Sequence, residues 1–167
     1  QKKSIDGRYV LTGESRVKFA LAAYDRAKPL VIDPILSYSS YLGGERFDQV
    51  AGIAVDSAGY AYLTGATSST DFPLSTGTKT PLNGVEDIYV VKIDPAGTRL
   101  VYSTFIGARR AGSLGRDIAI DKDGRAYVTG YTNASNFPVT SGAFSPKLSN
   151  GGSVVLKLSP TGRALEF

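Results

Sequence analysis

The sequence repeats itself with a period of about 65 residues, and this repeat limits the possible folds more than any other feature. Residues 52–65 recur as residues 117–130, with an Ile-Ala start and an Asp that precedes a Gly by three positions in both copies. The segment Ser37–Gly43 recurs as Val101–Gly107. The chain is therefore expected to stack two similar units rather than to form one irregular domain.

Each copy predicts two β-hairpins. Asp56–Gly59 and Asp94–Gly97 have the composition of tight turns, because Asp can accept hydrogen bonds from the amides of its own turn and Gly tolerates a positive φ. The predicted strands of the first copy are Val50–Asp56, Tyr60–Thr67, Asp87–Asp94 and Thr98–Phe105. Four short antiparallel strands per period are typical of a propeller blade. The sequence thus predicts an all-β fold with two four-stranded antiparallel propeller-type repeats.

The predicted strands are apolar on both faces. In 87–93, Ile88 and Val90 share one face, whereas Tyr89, Val91 and Ile93 share the other. A strand of this kind needs neighbours on both sides of its sheet. Stacked blades provide such neighbours, whereas a two-layer sandwich favours stricter alternation.

The repeats divide the chain into three predicted segments. Residues 1–36 precede the repeats, residues 37–100 form the first copy, and residues 101–167 form the second and end where a third would begin. Strand-like patterns in the first segment cover Gly7–Gly13, Val17–Asp25 and Leu30–Asp33. This segment is too small to fold alone, so it is expected to dock on the repeats or donate strands to another chain. The initial Gln1 favours a processed or trimmed piece of a longer product.

Composition excludes most catalytic machinery. The chain contains no Cys, His, Met or Trp, which excludes disulfides, the usual zinc sites, Ser-His nucleophiles and haem held by these residues. The net charge of +4 arises in residues 1–30, but these bases alternate with apolar residues. We interpret them as solvated strand faces and expect no nucleic-acid partner, no cofactor and no membrane span.

Several linked motifs resemble one known family. They are Tyr38–Gly44, Ile53–Gly59, Tyr62–Gly65, Asp71–Pro73 and Lys92–Gly97. Together they resemble the beta-propeller repeat family abbreviated SBBP, which occurs in bacterial secreted and cell-surface proteins. The resemblance implies a propeller-type fold and an exported location, and it supplies no catalytic residue.

Three groups of acidic residues are candidate sites for chemistry. Asp121-Lys122-Asp123-Gly124 is superficially similar to a calcium loop, but the Glu expected at position twelve is missing, so we interpret it as a capped turn. The pair Glu86-Asp87 and the pair Glu45 with Asp48 are candidates for paired carboxylates. Adjacent strand residues point to opposite faces, so we predict no hydrolase activity, no catalytic residue and no metal site.

The two long connections, Ser68–Glu86 and Asn133–Gly152, carry a further candidate. Asn133-Ala134-Ser135 has the pattern of an N-glycosylation acceptor, so glycans are a candidate modification. The alternative is a loop held down by Phe72 and Phe137. A small basic patch of Arg109, Arg110, Arg116 and Arg125 is interpreted as a solvated rim.

Two blades fall short of the roughly four to eight that close a propeller, so sheet faces and strand edges are expected to stay open. The sequence favours a non-enzymatic secreted or cell-surface structural module. Open β-sheet edges and apolar blade faces would let it self-associate as a fibre or filament subunit. The alternative is a fragment of a complete β-propeller, joined to further repeats of a longer parent chain, that binds carbohydrate or protein at a surface.

Overall fold

The computed structural model describes residues 5–11, 17–31, 38–75, 84–148 and 150–167. All regular elements in this part of the chain are β-strands, so the prediction of an all-β fold is confirmed. The chain divides into two compact units, Gln1–Ser37 and Tyr38–Phe167. The second unit contains both copies of the repeat.

The first unit contains one hairpin, in which β1 (Gly7–Leu11) pairs with β2 (Val17–Leu21). The predicted strand Val17–Asp25 therefore ends early, because Asp25 accepts a hydrogen bond from the Ala27 amide and closes a turn. Leu30 and Val31 lie in no strand, and residues 12, 13, 32 and 33 of the predicted strands lie outside the described residues.

The first repeat forms a four-stranded antiparallel sheet, here called sheet 1. Its strands are β3 (Asp48–Val55), β4 (Ala61–Thr67), β5 (Asp87–Ile93) and β6 (Leu100–Ile106), and they are adjacent in sequence order. A β-bulge between Val50 and Gly52 bends the edge strand β3. The predicted pair of hairpins is confirmed.

The second repeat forms sheet 2. Its strands are β7 (Ser113–Ile120), β8 (Ala126–Thr132) and β9 (Gly152–Leu158). Beside β9, Leu165 bridges Leu158, and the Lys157 amide donates to the Phe167 carbonyl oxygen at 2.8 Å. Leu158 and Leu165 are equivalent in the repeat to Ile93 and Leu100, which pair with each other in sheet 1. Among the described residues, sheet 2 therefore has three strands and the beginning of the fourth.

The turns are capped as the sequence predicts. Asp56 Oδ1 accepts hydrogen bonds from the amides of Ala58 and Tyr60, both at 3.0 Å, and Gly59 has a φ of 85°. The positive φ explains why Gly closes the turn. The same arrangement recurs in the turn that begins at Asp121, whereas Asp94 Oδ1 accepts hydrogen bonds from the amides of Thr98 and Arg99.

The core consists of two clusters, one on each face of sheet 1. The larger cluster lies between the sheets and contains Tyr62, Ile88, Val90 and Tyr102 from sheet 1 with Ile118, Val128, Leu156 and Leu158 from sheet 2. The smaller cluster contains Phe72, Tyr89, Val91 and Phe105. Ile88 and Tyr89 thus lie on opposite faces and both are buried, which confirms that β5 is apolar on both sides.

Candidate functional site: the faces of the two sheets

Glycines bring the backbones of the two sheets close together. A Cβ on Gly52 would lie 2.9 Å from the Cα of Asp117, and a Cβ on Gly115 would clash with Thr64 Oγ1. Only hydrogen side chains permit such an approach. The edge strand β7 therefore packs directly on β3 and β4.

An aromatic ring and a turn join the sheets at β6. The ring of Tyr102 covers Gly162, and the Thr104 hydroxyl donates to the Gly162 carbonyl oxygen at 2.6 Å. Gly162 belongs to the turn that follows β9. Consequently this turn of sheet 2 packs against β6, an edge strand of sheet 1.

A partly buried charge lies on the same face of sheet 1 as Val90. Lys92 Nζ is 4.3 Å from the ring centroid of Tyr60, 4.7 Å from that of Tyr62 and 3.7 Å from Asp56 Oδ2. The Tyr62 hydroxyl donates to Asp56 Oδ2 at 3.1 Å. The carboxylate and the two ring faces compensate the ammonium charge, so Lys92 can lie at the edge of an apolar interface.

Burial and hydrogen bonding shift the titration of this cluster. Burial raises the pKa of the Asp56 carboxyl, but hydrogen bonds from the Tyr60 amide and the Tyr62 hydroxyl outweigh it and leave the pKa below its ordinary value. Burial, reinforced by the neighbouring carboxylate, raises the pKa of Tyr62 well above its usual range. The Asp56 carboxyl is therefore ionised at neutral pH, where it lies 3.7 Å from Lys92 Nζ.

Sheet 2 carries an equivalent cluster on the face that points away from sheet 1. Lys157 Nζ lies 5.2 Å from the ring centroid of Tyr127 and 5.8 Å from that of Phe167. Glu166 lies 3.4 Å from Lys157 Nζ and also pairs with Arg125. Phe167 remains 43% exposed, whereas its equivalent Tyr102 is 4% exposed. The cluster is therefore assembled but uncovered.

The outward face of sheet 2, here called open face 2, repeats the covered face of sheet 1. Its residues Tyr127, Thr129, Val155 and Lys157 are equivalent in the repeat to Tyr62, Thr64, Val90 and Lys92. Val155 is 59% exposed, whereas Val90 is fully buried. Open face 2 thus has the composition of one half of the interface between the sheets.

The outward face of sheet 1, here called open face 1, repeats the other half. Its residues Ile53, Val55, Leu63 and Val91 are equivalent to Ile118, Ile120, Val128 and Leu156. The exposed part of this face lies on β3, because Val91 is buried in the smaller core cluster and Leu63 packs against it. Ile53 is 63% exposed, whereas Ile118 is 6% exposed. The chain therefore presents open face 2 and the β3 part of open face 1 as exposed counterparts of an interface that it also forms internally.

The candidate calcium loop holds its carboxylates in a hydrogen-bonded turn. Asp121 Oδ1 accepts from the amides of Asp123 and Arg125, each at 2.9 Å, and Asp123 Oδ2 accepts from Arg125 Nη1 at 2.6 Å. Hydrogen bonds led by that from the Arg125 amide hold the pKa of Asp121 below its ordinary value. Within the described ranges, no group of acidic side chains is arranged to hold a metal ion.

The other candidate carboxylates anchor loops. Asp48 Oδ2 accepts hydrogen bonds from the Gly44 amide and the Ser69 hydroxyl, both at 2.8 Å. Asp87 is fully buried and accepts from the Gly84 amide at 3.0 Å. Glu45 and Glu86 contribute backbone groups: the Glu45 amide donates to Asp71 Oδ1, and the Glu86 carbonyl oxygen accepts from the Ser113 amide.

Asn133 uses its side chain locally. The residue is exposed, and its Oδ1 accepts a hydrogen bond from the Gly112 amide at 2.8 Å. Phe72 and Phe137 are buried in the two core clusters, so both long connections are held down as the alternative interpretation predicts. The glycan remains a prediction.

The predicted basic patch is partly neutralised. Arg125 pairs with Asp123 and Glu166. Arg109 and Arg110 are exposed in the turn between β6 and β7. This arrangement is compatible with a solvated rim.

Sequence reasoning missed the network around Asp48, in which Ser69 and Asp71 anchor residues 44–46. The sequence signal for this network was the pair of motifs Gly43-Gly44 and Asp71-Phe72-Pro73. The spacing of the motifs along the chain does not show, however, that the two distant loops contact each other.

These features define an all-β protein built from propeller-type blades. Residues 38–73 and 101–138 match the sequence profile of the family described as Beta-propeller repeat, SBBP. These two segments therefore match repeats of this family, which confirms the resemblance seen in the motifs. No curated protein matches the chain. Over the ranges that the structure describes, no helix has the length and apolar character needed to cross a membrane.

Proposed function

We propose that this chain is a non-enzymatic structural module that self-associates by packing open face 1 of one copy on open face 2 of another. The observation that supports this most strongly is the equivalence of the two open faces to the two halves of the internal interface. Exposed apolar residues such as Ile53 and Val155 would be buried, each contributing about 25 cal/mol per Å² of apolar surface.

The proposed contact joins two different surfaces, so it is heterologous. Each copy keeps one face of each kind free after a single contact, and further copies can add at both ends. Such an assembly grows into a filament unless the rotation between copies closes a ring. This predicts an assembly whose average mass rises with protein concentration.

A positive charge placed on each open face tests the proposal. Ile53→Lys blocks open face 1, and Val155→Lys blocks open face 2. Sedimentation velocity should detect monomers for each variant alone and a one-to-one dimer for their mixture, because each retains the face that the other lacks. Phe144→Lys is the matched control, since Phe144 is a fully exposed apolar residue outside both sheets. A monomeric wild-type chain at all concentrations, or dimers of either blocked variant alone, would contradict the proposal.

The non-enzymatic role is supported by the composition and by the carboxylates, since the chain contains no His or Cys and Asp48, Asp87 and Asp121 each hold a loop or turn.

The exported location is supported by the family resemblance alone. Immunodetection on intact cells and in culture medium would test it, and detection only after lysis would contradict it.

The second candidate function is a fragment of a complete propeller that binds carbohydrate or protein. It is favoured by the contact of Tyr38 with Gly97, which repeats the contact of Tyr102 with Gly162 and so continues the array beyond sheet 1. The mass of the native polypeptide distinguishes the two candidate functions. A mass large enough for several further repeats would favour the complete propeller, because the sheets that cover the open faces would then belong to the same chain.

A further inference from the structure

The dipeptide Asn150-Gly151 lies in the connection that leads into β9. Asn150 is exposed, and Gly151 directly precedes the first residue of the strand. Gly151 has a φ of 76°, and a Cβ on it would lie 2.7 Å from the Tyr131 hydroxyl oxygen and 2.9 Å from the Thr132 carbonyl oxygen. Both observations require glycine at this position. The fold therefore fixes a glycine directly after an exposed asparagine.

A glycine that follows an asparagine leaves the asparagine side chain open to attack by the backbone. The nitrogen of Gly151 can bond to Cγ of Asn150, because no Cβ shields this nitrogen, and a five-membered succinimide ring results. The bond from Cγ to Nδ2 breaks, and ammonia leaves with the amide proton of Gly151. One water molecule then opens the ring at either carbonyl carbon and yields aspartate or isoaspartate. Asparagine is thermolabile in proteins, and this reaction is one reason.

The amide of Gly151 is available for this attack. None of the hydrogen bonds among the described residues uses it. The second Asn-Gly pair of the sequence is Asn83-Gly84, of which Asn83 lies outside the described residues. Its Gly84 amide donates a hydrogen bond to Asp87 Oδ1 at 3.0 Å. This bond must break before the Gly84 nitrogen can attack, so the structure distinguishes two pairs that are identical in sequence.

We propose that Asn150 is a site of spontaneous deamidation, which the fold selects over Asn83. Solvent water is the only co-reactant, and ammonia is the leaving group. Each event replaces a neutral amide by a carboxylate, so the net charge of the chain falls by one. The proposal does not depend on self-association.

The isoaspartyl product changes the backbone at the start of β9. Its chain runs through the former side chain, so that one additional carbon lies between Cα of residue 150 and the peptide bond to Gly151. Gly152 pairs with Thr132 at this end of sheet 2. Gly151 has no room for an added Cβ beside Tyr131. We therefore expect the isoaspartyl chain to melt at a lower temperature than the unmodified chain.

Incubation of the folded chain in mildly alkaline buffer tests the proposal, because alkali removes the amide proton. Peptide mapping by mass spectrometry quantifies conversion at Asn150 and Asn83 in the same sample. Asn150 should convert about fivefold faster, a factor that corresponds to the cost of breaking one hydrogen bond. In concentrated urea the two pairs should convert at nearly equal rates, because the hydrogen bond of Gly84 is lost.

Asn150→Gln is the matched variant. Its side chain is one carbon longer and would have to close a six-membered ring, which forms far more slowly. The variant should lose most of the isoaspartate that an isoaspartyl methyltransferase detects in the folded wild type. Conversion at Asn83 should be unchanged.

Each part of the proposal has an outcome that overturns it. Conversion of Asn150 in urea but not in the folded chain would overturn the site. Equal conversion of both asparagines in the folded chain would overturn selection by the fold. A total isoaspartate yield that Asn150→Gln leaves unchanged would overturn Asn150 as its main source. An isoaspartyl fraction that melts with the unmodified chain would overturn the effect on sheet 2.

Discussion

The ring of Tyr102 lies directly on Gly162, so that a strand of one sheet and a turn of the next are packed without a gap. A Cβ on Gly162 would lie 2.5 Å from Cδ2 of Tyr102, and the residue has a φ of 70°. The contact requires Gly both for its backbone conformation and for its missing side chain.

The substitution Gly162→Ala should therefore lower the free energy of unfolding by about 2–4 kcal/mol, through steric overlap and backbone strain together. Gly142→Ala is the matched control, because Gly142 has a φ of 83° and no atom near the added Cβ. It should cost about 1 kcal/mol. Urea denaturation measures both values, and equal losses would show that the Tyr102 contact contributes nothing beyond strain.

Lys92 and Lys157 occupy equivalent positions in the repeat, but their aromatic clusters differ in how far they are shielded from solvent. Lys92→Met should lower the free energy of unfolding by about 1–2 kcal/mol, because two ring contacts and the ion pair with Asp56 are lost inside the interface. Lys157→Met should cost less than Lys92→Met in the monomer, since Phe167 leaves the Lys157 cluster more exposed than Tyr102 leaves the Lys92 cluster. Urea denaturation at a concentration that keeps both variants monomeric tests the ranking, and a larger loss for Lys157→Met would contradict it.

Acid should destabilise the turns. The Thr98 amide is the main hydrogen-bond donor that lowers the pKa of Asp94, and the Arg125 amide plays this part for Asp121. A carboxyl with a lowered folded pKa stabilises the fold above its unfolded pKa and loses this contribution as the pH falls through the folded value. The urea midpoint should therefore fall below about pH 4.

The double variant Asp94→Asn, Asp121→Asn should reduce this acid dependence, because the amides keep an acceptor but no longer a titrating one. Asp123→Asn removes one charge from the same turn and serves as the control. If the double variant kept the full pH dependence of the wild type, the turn carboxylates would not be its source.

Alkali should titrate the tyrosines in two stages. Burial raises the pKa of Tyr62, Tyr89 and Tyr102 far above the usual range, so they stay protonated while the chain is folded. Their raised pKa contributes stability that is present below pH about 10 and lost as the pH rises further. Absorbance at alkaline pH should therefore show a late step that coincides with unfolding by circular dichroism. Complete ionisation before unfolding would contradict the buried positions.

Calcium should leave the chain unchanged. Asp121 and Asp123 are engaged by turn amides and by Arg125, so an ion would have to displace these bonds. Melting temperatures in millimolar calcium and in excess chelator are expected to coincide. A clear rise with calcium but not with magnesium would restore the metal site as a possibility.

The sequence predicted the local structure well, because its signals are local. Asp56 with Gly59 and Asp94 with Gly97 specified turns through hydrogen bonds and φ angles that depend on a few neighbouring residues. Asp87–Asp94 was predicted within one residue of β5, since its alternation of apolar residues reports burial on both faces. In contrast, the strand predicted over Val17–Asp25 ended at Leu21, because a turn at Asp25 competed with continued pairing.

The sequence by itself determined the repeat, the β-hairpins and the apolar character of both sheet faces. Only the tertiary structure decided which faces are covered, because Val90 and Val155 have equivalent sequence surroundings and differ in whether a second sheet lies on them. The physical reason is that a strand's pattern records which side chains tolerate burial, whereas burial itself depends on contacts between distant segments. The position of Tyr102 on Gly162 is a consequence of that packing.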